Sequence, residues 1–205
     1  MVQDNFGEVA SQEALERATE ALQANGMTVQ VVENLAEAKE LVLHMIPKGS
    51  EVFTATSATL QEAGLDEALN NNDQYVSLRN AFMALQGNAE KRHEMRRIGS
   101  VSDYALSSVH AVTEDGEVLV ASATGSQYPN MVFGADHVIW VVGTQKIVPT
   151  MEKAMQRLEQ HVFPREDVRS LKAYGVNSSI NQIHIFKKDP THRLTIVFVK
   201  QSAGF

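Results

Sequence analysis

The sequence predicts an α/β fold, a mixed and mainly parallel sheet with helices on both faces. Three observations predict it. Short apolar runs alternate with segments of helical period through most of the chain, as strand–helix units do. The run HVIWVV at 137–142 is apolar after its first residue, which suits a strand buried on both faces of a parallel sheet. The composition, 43% hydrophobic and 21% charged over 205 residues, supports a full core in one domain.

The elements follow in order. Ser11 caps a first helix whose stripe is Ala14, Leu15, Ala18, Ala21 and Leu22, and Gly26 ends it. Residues 27–32 read as a strand. Asn34 caps a second helix that ends at Pro47. EVFTA is a short strand, and a third helix starts at Thr56 or Ser57. The NNND run turns the chain, YVSL reads as a strand, and one long helix covers about 80–98, weakened at Gly87. LSSVHAV leads into an Asp115-Gly116 turn and then EVLVA. Beyond 137–142, two helices lie on either side of Pro164, and Gly175 stops the second. The ending IHIFKKDPTHRLTIVFVK reads as an antiparallel hairpin turning at Asp189-Pro190.

Charge and composition remove several function classes. A net charge of -7 and no concentrated basic stripe argue against nucleic acid as a partner. KRHEMRR at 91–97 is diluted by Glu90 and Glu94 and reads as a solvated helix face. With no cysteine there is no disulfide, thiolate cluster or cysteine nucleophile. The seven histidines form neither H-x-x-x-H nor H-x-H, so neither a metal site nor a cofactor is expected. The start MVQDNFGEVASQEALERA lacks the charged and apolar regions of a signal peptide, and no run is long enough to span a membrane. The expectation is a soluble, cytoplasmic protein.

In open α/β sheets, ligands sit beyond the carboxyl ends of the strands. Four loops rich in Gly, Ser, Thr and Asn occupy such places: 54–60, 123–129, 143–150 and 175–182. They nominate Thr56, Ser57, Thr59, Gly125, Ser126, Lys146 and Asn177 as ligands of a small phosphate- or carboxylate-bearing anion. Neither G-x-x-x-x-G-K-[ST] nor G-x-G-x-x-G is present. The plainer reading of Ser57 and Thr150 is as helix caps, while Lys146 is equally a ligand contact or a solvated cation. G-x-S-x-G is absent, so a serine triad is not expected. Glu114, beside Asp115 and Gly116, is either a solvated turn residue or a carboxylate aimed into the ligand crevice.

Thr113-Glu114-Asp115-Gly116, Gly143-Thr-Gln-Lys-Ile-Val148 and the ending RLTIVFVKQSAGF resemble the LUD-domain family, in particular the short branch of the lactate utilization protein C group. The likeness runs from about TATSATLQEAGL to the C-terminus. Gln145 stands where many relatives carry asparagine. Asn177, Ser178 and Ser179 stand where some short relatives carry a cysteine cluster. The resemblance implies a single LUD domain over 1–205, with the helix–strand segment 1–50 packed on the sheet domain. It implies a fold like those of glucosamine-6-phosphate deaminase, ribose-5-phosphate isomerase and the CoA transferases. It also implies a link to lactate-type organic-acid utilization beside iron–sulfur redox proteins. CoA transferases carry their nucleophilic glutamate in a serine-glutamate-asparagine-glycine segment, similar in type to residues 113–116.

Three functions therefore stand open. The first is an accessory or binding protein for a small anion. The second is an acyl- or CoA-transferring enzyme with Glu114 as nucleophile. The third is a non-catalytic scaffold for redox partners.

Overall fold

The structure is a computed structural model that describes residues 5–205; the opening MVQD of the stretch read for a signal peptide lies outside them. The first half follows the periodicity closely. Ser11 Oγ accepts from Ala14 N at the head of α1 (Gln12–Ala24), which buries Leu15, Ala18 and Leu22. β1 (Thr28–Val32) and α2 (Leu35–Met45) come next, with Asn34 Oδ1 accepting from Glu37 N as the cap of α2. After β2 (Glu51–Thr54) the expected third helix is two short ones, α3 (Ala58–Glu62) and α4 (Leu65–Asn70). Gly64 separates them at φ 63°, a left-handed conformation that breaks the helical path. β3 is only Val76–Ser77. The expected long helix is also divided, into α5 (Leu78–Ala84) and α6 (Arg92–Ile98), with Gly87 in the break.

The second half departs further. LSSVHAV is two strands, β4 (Ser102–Ser107) and β5 (Ala111–Thr113), which belong to different sheets. β6 (Val118–Ser122) pairs antiparallel with β5 across the Asp-Gly turn. β7 (Ala135–Gly143) runs into a single 3-10 turn, Thr144–Lys146, and then β8 (Ile147–Val148). Pro164 does not end a helix. α7 (Met151–Arg157) continues through a π-turn, Leu158–Val162, into α8 (Phe163–Tyr174). Phe163 N donates five residues back to Leu158 O, and Pro164, having no N–H, then needs no acceptor.

The terminal hairpin is a correction. β9 (Gln182–Phe186) pairs antiparallel with β6, while β10 (Leu194–Val199) lies parallel between β1 and β7. Burial explains the separation. Both faces of β10 are apolar and covered, which only a central strand allows, whereas β9 is largely exposed and sits at an edge. The Asp189 carboxylate accepts from Thr191 N, Thr191 Oγ1 and Leu194 N, turning the chain from one sheet to the other.

The single mixed sheet of the sequence reading is thus two sheets. Six parallel strands run in the order β1-β10-β7-β4-β2-β3, and four mixed strands in the order β8-β5-β6-β9. Alternation along the strands sorts the core into layers. Val138, Trp140 and Val142 of β7 face the second sheet and α1, together with Val118 and Val120 of β6. Ile139 and Val141 face the opposite way, onto Ala38 and Val42 of α2 and Leu60, Leu65 and Leu69 around α3 and α4. Leu119 and Ala121 of β6 pack outward on Ala154, Leu158 and Val162. The large sheet therefore has helices on one face and the second sheet with α1 on the other.

Candidate functional site

The carboxyl ends of β2, β4 and β7 point the same way, because their strands are parallel neighbours. The loops that leave them bound a cavity of about 240 Å³. Its walls include Thr56, Ser57 and Thr59 after β2, Ser107, Ser108 and His110 around the β4–β5 break, and Lys146 after β7. The far side is closed by Ser122, Thr124 and Ser126 after β6, by Arg169 and Tyr174 of α8, by Ser178 and Ser179, and by Phe205. The volume is below the roughly 300–1,000 Å³ of drug-sized sites and suits a small molecule.

Lys146 is the centre of this arrangement. It is buried, and its Nζ donates to Thr59 Oγ1 and Ser108 Oγ, both at 3.0 Å. No carboxylate pairs with it among the described residues. Burial first, then the Arg157 guanidinium, push its pKa down to about 7, while Glu62 acts less strongly the other way. Arg157 is wholly buried and, among the described residues, also lacks a carboxylate partner. It donates instead to the carbonyls of His110, Gln145 and Phe6, so it ties the 108–110 and 143–146 loops together. Burial lowers even this guanidinium, to about 9.

His110 is held neutral. Its Nδ1 accepts from Ala121 N at 3.0 Å, so the proton resides on Nε2. Burial, then Lys146 and Arg157, lower its pKa to about 3. At the rim, Arg79 donates to Thr56 Oγ1. Arg169 is neutralised by a two-pronged pair with Glu166, at 2.7 Å for each bond, and lies 5.4 Å from the Tyr174 ring centre. Among the described residues, Arg79 and Lys146 on the wall have no paired carboxylate, and Arg157 lies behind them.

The C-terminal segment is tied to residues beside the cavity. Thr59 Oγ1 and Gln145 Nε2 both donate to Ala203 O, and Gly204 N donates to the Glu62 carboxylate. The Gln145 amide therefore anchors this segment. Gln145 Oε1 and the neighbouring Thr144 hydroxyl are buried without a partner among the described residues, so the loop bearing Lys146 concentrates unsatisfied polarity.

The nominated residues divide. Thr56, Ser57, Thr59, Ser126 and Lys146 line one cavity. Ser57 caps α3 and Thr150 caps α7, each accepting a backbone N–H, so Ser57 has both roles. Gly125 lies in the same loop as Ser126 but not on the lining, and its N–H donates to Ser122 Oγ. Asn177 lies outside the lining and bonds the Asp167 carboxylate. Glu114 also lies outside it, in the β5–β6 turn, where its carboxylate meets Arg17 of α1 at 2.6 Å. Thr113 O accepts from Gly116 N, and Gly116 takes φ 78° against α1, a tight turn that only glycine enters freely. Among the described residues no group of three or more His, Asp or Glu side chains is placed to hold a metal. No described helix is long and apolar enough to cross a membrane.

Arg157, His110, Arg79 and Arg169 were not singled out by sequence. Arg157 had a signal: it is a cation on the stripe of Ala154 and Leu158, where an apolar residue belongs.

No curated protein matches the chain. Among solved structures it is similar to a crystal structure of a DUF162 family protein from Deinococcus radiodurans. The identity is 14% and the TM-score 0.57, with 94% of this chain and 99% of that one covered. At that identity the likeness speaks for the fold alone. The profile of the LUD domain matches residues 15–199, from α1 to the last residue of β10, and so takes in every strand that shapes the cavity. The chain belongs to the LUD domain family.

Proposed function

We propose that this LUD-domain protein binds a small anion in the cavity around Lys146. In this reading it serves organic-acid utilization of the lactate type as a binding or accessory protein, within the lactate utilization protein C group. One observation carries the binding reading: Lys146 and Arg157 are both buried, both lower the pKa of His110, and among the described residues neither has a carboxylate partner. Buried charge is costly unless it is paired. An anionic ligand bonded to Lys146 and balanced by Arg79 supplies the missing charge. The location supports the same reading, since ligands of open α/β sheets collect at the carboxyl ends of strands. It also accords with a fold of the glucosamine-6-phosphate deaminase, ribose-5-phosphate isomerase and CoA transferase type. Docking to iron–sulfur redox proteins is part of the proposal through the family alone. Acyl transfer through Glu114 gains no support from the cavity, because that carboxylate is engaged by Arg17 outside the lining.

The test is thermal unfolding with sulfate, phosphate and acetate at constant ionic strength. At least one should raise Tm saturably, by the equivalent of about 2.7 kcal/mol at a hundredfold excess over Kd. Lys146→Met should remove most of that shift and Glu114→Gln should keep it. No saturable shift with any anion in the wild-type protein contradicts the reading.

A further inference from the structure

Beyond holding an anion, we propose that Lys146 captures its ligand covalently: the amine condenses with the carbonyl carbon of a small anionic aldehyde or ketone. The inference rests on the anion-site reading and adds a reaction to it. Three features lead there. First, Lys146 reaches the cavity wall through a buried stem, yet among the described residues its amine meets two hydroxyls and no carboxylate that would fix it as an ammonium. Such a desolvated amine beside another cation is how proteins prepare a lysine nucleophile, and the lowered pKa of Lys146 agrees. Second, the contacts specify where the rest of the ligand lies. Lys146 bonds Thr59 in the first turn of α3, and Arg79 bonds Thr56, three residues earlier in the loop that leads into it. A carbonyl at Lys146 and an anionic group toward Arg79 therefore belong to one small molecule, in keeping with a cavity of about 240 Å³. Third, neutral polar groups share the wall with the amine. Ser108 Oγ lies 3.0 Å from Nζ, and His110 on the same wall carries its proton on Nε2.

The step balances without a redox partner. The neutral amine's lone pair forms the C–N bond as the carbonyl π-bond breaks. Nitrogen gives up a proton and the new alkoxide takes one, with the Ser108 hydroxyl placed to relay it. The resulting carbinolamine loses its hydroxyl and a second nitrogen proton as water, which leaves an imine.

The wild-type protein is incubated with glyoxylate, with glycolaldehyde phosphate or, as a neutral control, with propanal. Borohydride is then added, and the peptides are mapped by mass spectrometry. Borohydride places hydride on the imine carbon, so the trapped lysine gains the mass of the carbonyl compound less one oxygen. The expected result is labelling at Lys146 by one of the two anionic probes at least about tenfold above any exposed lysine, which is almost wholly protonated at neutral pH. Which probe labels tells carboxylate from phosphate. Propanal should show no such preference. Lys146→Arg, checked for folding by circular dichroism, should lose the label. A Tm shift with labelling spread evenly over surface lysines overturns covalent capture and leaves the anion site standing. Neither shift nor Lys146 labelling overturns both.

Discussion

Lys146 shows how much of one residue's setting lies outside the sequence. Its position after β7 marked it as a ligand candidate, and a solvated lysine was the equal alternative. In the structure it is buried, because the 3-10 turn at 144–146 points it back between Thr59 and Ser108. That inward turn has no periodicity to betray it. The consequence is a pH signature. An unfolded Lys146 titrates near the ordinary 10.5 and the folded one near about 7. Between those values the unfolded chain binds more protons, so this residue's destabilisation is complete below about pH 7 and fades as pH rises toward 10.5. Lys146→Met should therefore gain most stability over wild type near pH 6, on the order of 1–4 kcal/mol for replacing an uncompensated buried charge, and less near pH 9. Urea denaturation at the two pH values measures this. An equal difference at both would show that Lys146 is not depressed in the fold. Glu114 is the opposite case. Sequence read it as either turn or crevice, and the Arg17 pair on α1, set by packing of the β5–β6 turn against that helix, could not be seen along the chain.

At the scale of elements, the turn from Gly143 to Lys146 places Lys146 on the wall of the candidate cavity. A Cβ on Gly143 would lie 2.1 Å from Gln145 Oε1, 2.7 Å from Ala203 N and 2.8 Å from Gln201 O. Two of these are backbone atoms, so the segment running to Phe205 would have to move. Gly143→Ala should cost about 1–3 kcal/mol by overpacking and should weaken anion-induced stabilisation, because the Thr59–Ala203 contact shifts with it. Denaturant titration with and without sulfate checks both parts, and wild-type values in each would contradict them. Helix starts were readable because caps are local: Ser11, Asn34, Ser57 and Thr150 all accept the expected backbone N–H. Breaks were harder. The Ser108–His110 interruption, which places three residues on the cavity wall, follows from β4 and β5 joining different sheets, a tertiary choice. Pro164 misled because a π-turn shifted the hydrogen-bond register before it.

At the scale of the molecule, the alternation of strands and helices was sufficient for α/β, and the apolar run at 137–142 correctly marked the middle of the large sheet. Two sheets in place of one was not legible, because local patterning does not say which strands pair. The seam between them is clearest at Trp140 of β7, wholly buried, whose ring meets Phe186 of β9 edge-on at 4.9 Å and 68°. Trp140→Ala should cost about 3–5 kcal/mol. With Phe186→Ala it should show a coupling of about 0.5–1.5 kcal/mol in a double-mutant cycle. Additive losses would mean that the ring pair does not join the sheets. Trp140→Phe should be milder, since it also removes a buried indole N–H that lacks a partner among the described residues.

The cavity at the carboxyl ends of β2, β4 and β7 ties these scales together, and a crystal structure of the protein soaked in sulfate or phosphate tests it most directly. The anion should lie in the cavity within hydrogen-bonding distance of Lys146 Nζ, with Arg79 or the Thr56–Ser57 hydroxyls as further partners, and Lys146→Met crystals should lack it. An anion found only on the outer surface, with ordered water in the cavity at the same soaking concentration, would contradict the assignment.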